Sequence, residues 1–233
     1  MSNSLSLLSP LHAWQQLKRA WMRHHVGDER FTFMWDDPPP DEWVSLDCET
    51  TGLDRRRDEI IAIGAVRIRG NRVMTSERLE LIVRPEKRKL SAESVRVHRL
   101  REQDVAQGIA IDDALQRLMH FIGSRPLVGY YLEFDLAMIN RGLFPMLGVP
   151  LPQPRFEVSS MYYDLKFKQL PSHQQGQRID LRFDTIMREL GLPTRDAHDA
   201  VNDAVMAAMA FVKLRHLHGK ARSEEHTSEL QSH

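Results

Sequence analysis

The sequence predicts an α/β domain in which a mixed β-sheet is flanked by helices. Three observations predict it. Strands come first, as short runs rich in β-branched and apolar residues between Trp43 and Val83. The second half then alternates a buried strand with amphipathic helical patterns. Between the second and third strands, Gly70 and Asn71 supply a turn that makes them a hairpin.

Taken in order, Leu7 to Val26 carries Leu7, Leu11, Trp14, Leu17 and Trp21 at three- and four-residue spacing, an amphipathic helix with Lys18, Arg19 and Arg23 on other faces. Its apolar stripe either packs on the domain surface or docks a partner or nucleic acid. Pro38, Pro39 and Pro40 cannot continue a helix or a central strand and read as a stiff linker. Residues 1–41 are therefore expected to form an N-terminal helix and linker, and residues 42–218 the main domain.

Strands are expected at Trp43 to Asp47, Ile60 to Ile68, Leu79 to Val83 and Leu127 to Gly129. Helices are expected at Ile111 to Ile122, Phe134 to Phe144, Leu181 to Leu190 and His198 to Leu217. Between Pro150 and Arg178 lies a polar stretch, helical at Met161 to Lys168. Residues 222–233 look like a translated sequencing adaptor and are set aside as a non-native tail.

Composition narrows the function classes. The 233 residues hold 32 basic and 32 acidic side chains, so no global basic field of the kind that drives non-specific duplex binding exists. The single cysteine, Cys48, excludes an internal disulfide. No apolar run approaches the roughly 20 residues of a membrane span, and the start lacks the features of a secretion signal. A cytoplasmic location is the expectation, with no membrane partner.

Three clusters carry the chemistry. Asp47 and Glu49 lie two apart at the end of an apolar strand, so both carboxylates project from one face while Cys48 points to the other. Thr50, Thr51 and Gly52 follow, small residues that let a substrate backbone approach and offer hydroxyl and amide donors. In the second cluster, a buried strand and Gly129 lead into a helix with Asp135 in its first turn, where an acid also favours the helix dipole. In the third, His198 precedes Asp203 by five residues, about 500° on a regular helix. His198 is therefore expected on the loop or first turn, with Asp203 on the inward helix face beside Ala200, Ala204 and Ala207.

In this order and spacing, LDCETTGLD, LVGYYLEFD and HDAVND resemble the three motifs of the DEDDh exonuclease family, nearest to the proofreading exonucleases of the DNA polymerase III epsilon-subunit type. The resemblance runs from about Trp43 to Leu214 and includes VRVHRLREQDV at Val95 to Val105. It implies a ribonuclease H-like fold with a mixed sheet of about five strands, the second antiparallel. It further implies that Asp47, Glu49, Asp135 and Asp203 hold two divalent cations, Mg²⁺ or Mn²⁺, as oxygen-only ligands favour. Asp47 would bridge the ions, Glu49 and Asp203 would serve the one that activates water, and Asp135 the one near the leaving oxygen. His198 would be the general base. Thr50, Thr51, Gly52 and Leu53 would hold the terminal nucleotide, with Leu53 wedged near its base.

The implied activity is 3′-to-5′ hydrolysis of a single-stranded DNA end, of proofreading or repair type, releasing nucleoside 5′-monophosphates, with a DNA polymerase as candidate partner. The alternatives are an RNA 3′ exonuclease of ribonuclease T or oligoribonuclease type, and a non-catalytic nucleic-acid- or polymerase-binding module. Two departures from the family pattern stand out: Tyr130-Tyr131 where members usually carry His-Asn, and Ser159-Ser160 where many carry Asp-Thr. Asp199, Asp196 and Asp164 are expected as helix caps or solvated residues. The run Arg55, Arg56, Arg57 reads as solvated charge, with phosphate contact the other reading.

Overall fold

The computed structural model describes residues 10–87, 102–171, 173, 176–195 and 199–231. An N-terminal helix, α1 (Pro10–His24), and a 3-10 helix (Glu29–Trp35) precede the sheet. The strands are β1 (Glu42–Thr50), β2 (Ile60–Arg69), β3 (Arg72–Ile82), β4 (Leu127–Gly129) and β5 (Arg155–Glu157). The remaining helices are α2 (Glu102–Ala106), α3 (Ile111–Ile122), α4 (Leu132–Leu147), α5 (Val158–Gln169), α6 (Phe183–Glu189) and α7 (Ala200–Gln231).

The strands order as β3-β2-β1-β4-β5, with β2 antiparallel to both neighbours and β1, β4 and β5 mutually parallel. This is the expected mixed sheet with its second strand reversed. β3 runs seven residues further upstream than expected, because its outer face is a charged, solvated edge without the apolar density that marks Leu79 to Val83. β5 and the 3-10 helix were not anticipated: three residues after a Pro-rich stretch carry no readable period. α5 begins three residues before the helix expected there, at Val158.

Alternation in β1 divides the core. Val44, Leu46 and Cys48 join one buried cluster with α3, α4 and the N-terminal segment. The other face packs through Val66, Ile68 and Val128 against α5, α6 and α7. Met22, Val26, Phe31, Met34 and Trp35 belong to the first cluster, so the segment before the sheet shares the core of the domain. Trp14, Leu17 and Trp21 of α1 stay exposed.

One glycine fixes how closely α7 meets the sheet. Gly64 of β2 pairs with Asp47 of β1 and so points to the same face. A Cβ at Gly64 would stand 2.1 Å from the Ala200 carbonyl carbon and 2.3 Å from the Val201 nitrogen. The first turn of α7 therefore rests directly on the sheet, with Ala200, Ala204 and Ala207 buried beneath it. Gly64→Ala is expected to lift that turn and destabilise the fold by about 1–3 kcal/mol. Chemical denaturation checks the loss, and a variant as stable as the parent would show that α7 does not depend on this contact.

Candidate active site

The site lies where β1 and β4 end. A register shift after Glu49 pairs Thr50 with Ile60, leaving one extra residue on β2 and turning the strand end out of the ladder. Asp47 and Glu49 project together toward α7, and Asp203 comes down from that helix's first turn. One ligand oxygen from each of Asp47, Glu49 and Asp203 lies within 4.8 Å of the other two. Asp135 enters from the first turn of α4 on the neighbouring strand-helix junction. It is 4% exposed and accepts a hydrogen bond from the Cys48 backbone N–H. The four acids expected to form one site are thus brought to one strand end.

The electrostatics of this arrangement are unfavourable in the absence of cations. Burial, then the charges of Asp135, Asp203, Glu49 and Asp199, push the Asp47 carboxyl well above the usual carboxylate range. Burial, then Glu49 and Glu157, push Asp135 up as well, against the lowering effect of the Cys48 amide. Burial, then the charges of Asp135, Asp47 and Glu49, raise the Cys48 thiol, so it stays protonated and acts as a small core side chain.

Asp199 caps α7: its Oδ1 accepts the Asn202 N–H at 2.9 Å, as expected of a cap. Asp164 is exposed. His198, Asp196 and Val95 to Arg101 lie outside the described residues.

The turn after β1 is organised from within. Thr51 Oγ1 donates to Asp58 Oδ1 at 3.0 Å and accepts the Glu59 N–H, while Thr50 Oγ1 donates to the Gly52 carbonyl at 2.7 Å. Both hydroxyls expected to face a substrate are therefore engaged inside the turn. A Cβ at Gly52 would meet Asp58 Oδ2 at 2.5 Å, so the glycine makes room for this buried carboxylate. Arg141 of α4 donates to the carbonyls of Arg55 and Asp58, pinning the turn to the helix that carries Asp135. Leu53 is left at the tip, 85% exposed. Of the arginine run, Arg55 stands 5.7 Å from the Phe134 ring centre and Arg57 3.8 Å from Asp54, with Arg57 largely solvated.

Asp58, Arg141 and Glu157 were not singled out in the sequence. Glu157 caps two helices at once. Its carboxylate accepts the N–H groups of Tyr131 (3.0 Å) and Leu132 (2.9 Å) at the start of α4, and the N–H and Oγ of Ser159 in α5. Ser159 thus has a defined role in opening α5. Tyr130 donates its hydroxyl to the Leu181 carbonyl at 3.0 Å and stacks on Phe183 at 4.5 Å, tying the segment before α6 to the end of β4. Tyr131 adopts a left-handed backbone, φ 58°.

An α/β sheet with carboxylates converging at one strand end, and oxygen the only donor type among them, fits a divalent cation, which would neutralise the repulsion that raises Asp47 and Asp135. The chain belongs to the exonuclease family: the model described as Exonuclease, of ribonuclease T type, matches residues 44–211.

Among relatives, it is 26% identical to "DNA polymerase III PolC-type" of Thermotoga maritima over 73% of this chain and 12% of that protein. It is 25% identical to "DNA polymerase III subunit epsilon" of Aquifex aeolicus over 74% of this chain and 79% of that one. Among solved structures, Escherichia coli exonuclease I in complex with a dT13 oligonucleotide superposes with a TM-score of 0.59 at 15% identity, covering 75% of this chain and 40% of that one. The chain thus spans about an eighth of the first of these relatives and is an exonuclease domain of the ribonuclease H-like fold.

Because the fold raises Asp47 and Asp135, their contribution to the stability of the metal-free chain is fully present below the ordinary carboxylate range and is lost as pH rises through the elevated values. Thermal melts should therefore fall with rising pH without metal, and recover on adding divalent cation, by about 2.7 kcal/mol at a hundred times Kd. Asp47→Asn should melt higher than the parent without metal and gain less from the cation. Tyr130→Phe should lose about 0.5–1.5 kcal/mol of stability through the Leu181 bond and keep its activity. A large activity loss in that variant would put the hydroxyl in the chemistry instead.

Proposed function

We propose that this domain is a 3′-to-5′ exonuclease that hydrolyses the terminal phosphodiester of single-stranded DNA and releases nucleoside 5′-monophosphates. The observation that carries the proposal is the meeting of Asp47, Glu49 and Asp203 oxygens within 4.8 Å at the end of β1, with Asp135 adding its charge from α4. A site of oxygen donors alone suits hard ions, Mg²⁺ or Mn²⁺, and four acids suit two of them. Bound there, the ions supply the positive field that promotes ionisation of the attacking water and stabilises charge on the leaving 3′ oxygen.

The chain's own residues do the rest. Asp47, Glu49, Asp135 and Asp203 would hold the cations, with Asp47 shared between them, Glu49 and Asp203 serving the ion that activates water and Asp135 the one that stabilises the leaving oxygen. His198 takes the proton of the water as its oxygen bonds to phosphorus and the bond to the 3′ oxygen breaks. Leu53, held out by the Asp58-Arg141 framework, wedges beside the terminal base, and Thr50, Thr51 and Gly52 present backbone to the nucleotide.

The DNA assignment is supported by the polymerase III relatives and by the oligonucleotide-bound exonuclease I of like fold. A DNA polymerase is the corresponding partner. No described helix is long and apolar enough to cross a membrane, and a cytoplasmic setting agrees with such a partner.

Labelled single-stranded DNA and RNA incubated with Mg²⁺ or Mn²⁺ test this. DNA should yield a ladder of 3′-shortened products, abolished in Asp47→Ala and slowed about 10²- to 10⁴-fold in His198→Ala. A ladder from RNA alone would reassign the substrate. An unchanged ladder from Asp47→Ala, or none from the parent, would refute the reading.

A further inference from the structure

Tyr131 is held in a costly backbone conformation that leaves its ring exposed. It is one of two non-glycine residues with positive φ among those described, the other being Asp41 on the turn into β1. The left-handed region suits Gly or Asn, and a bulky side chain there is strained. Strain of this kind persists only where surrounding structure enforces it. Here Glu157 does so, accepting both the Tyr131 and Leu132 N–H groups. The side chain returns little by packing, since Tyr131 is 67% exposed. Its neighbour Tyr130 spends both hydroxyl and ring on internal contacts.

The location suggests what the ring is for. Tyr131 is the N-cap of α4, four residues before Asp135, which is about one helical turn. Leu53, likewise large, apolar and exposed, stands on the turn after β1. α1 carries the exposed Trp14 and Trp21, and the segment after it bonds through Gly27 to Leu147, at the end of α4 far from Asp135. An unpacked π face at the rim of a site that takes a strand end offers a surface on which any base can stack.

Building on the exonuclease reading above, we infer that Tyr131 is a substrate-binding residue on which a nucleobase near the 3′ end stacks. Glu157 is the positioning residue that holds it there. Stacking tolerates every base, so Tyr131 favours unpaired, base-bearing ends without reading sequence.

The test is steady-state kinetics on oligo-dT carrying a single abasic residue at each of the last four positions in turn, with wild type, Tyr131→Ala, Tyr131→Phe and Tyr131→Asn. At one position the abasic substitution should raise the wild-type KM by about five- to a hundredfold. Tyr131→Ala should show a rise of like size on intact DNA and no further loss at that position. Tyr131→Phe should behave as wild type. Tyr131→Asn should match the alanine variant in KM while melting at a higher temperature than wild type, its backbone strain relieved. An intact-DNA KM for Tyr131→Ala within about twofold of wild type, or an undiminished abasic penalty in that variant, would overturn the inference while leaving the exonuclease reading in place. A wild-type chain that shortens no oligonucleotide would overturn both.

Discussion

Four carboxylates meet at one strand end, and their mutual repulsion is the constraint on which the rest of the structure depends. Asp47 and Asp135 hold their protons far more tightly than ordinary carboxyls, a cost that a binding surface has no reason to carry and that divalent cations would remove. The fold forces the approach from three directions. Strand alternation aims Asp47 and Glu49 to one side, the α4 N-terminus delivers Asp135, and the absent side chain at Gly64 lets the first turn of α7 settle far enough to deliver Asp203. Asp199 adds its charge to the cluster while capping that turn.

Around the acids, a second set of polar groups decides where the exposed residues stand. Asp58 is buried under the turn after β1 and bonds Thr51 and the Asp54 amide, and Arg141 fastens the same turn to α4. Glu157 fixes the entry to α4 and α5 together. Each of these carboxylates is held by N–H and O–H donors within the chain. They organise backbone at the same end of the domain where the four site acids converge, a grouping that suits divalent cations.

Much of this was legible in the sequence, for physical reasons that differ by element. The alternation at Asp47-Cys48-Glu49 has period two and states its own geometry. Ile111 to Ile122 and Leu127 to Gly129 emerge with the expected bounds because a strong helical period and a short apolar run bounded by Pro and Gly are local signals. Gly64 is different. It sits in an apolar run as an ordinary small residue, and its meaning depends on Ala200, far along the chain. Asp58 and Glu157 look like solvated loop acids until the turn and the two helix ends close over them. Thr50 and Thr51 were identified as part of the site, yet their hydroxyls serve the turn, since spacing reveals proximity and not hydrogen-bond direction. The departure at Tyr130-Tyr131 divides likewise: Tyr130 takes an internal structural role, and Tyr131 keeps the left-handed helix entry with an exposed ring.

The most direct measurement of the central claim is a crystal of the chain grown with Mn²⁺ and a nucleoside 5′-monophosphate, with anomalous scattering recorded at the manganese edge. The account predicts anomalous peaks ligated by Asp47, Glu49, Asp135 and Asp203, with Asp47 shared where two peaks appear. Crystals with the nucleotide bound and no anomalous peak among these four carboxylates would contradict it.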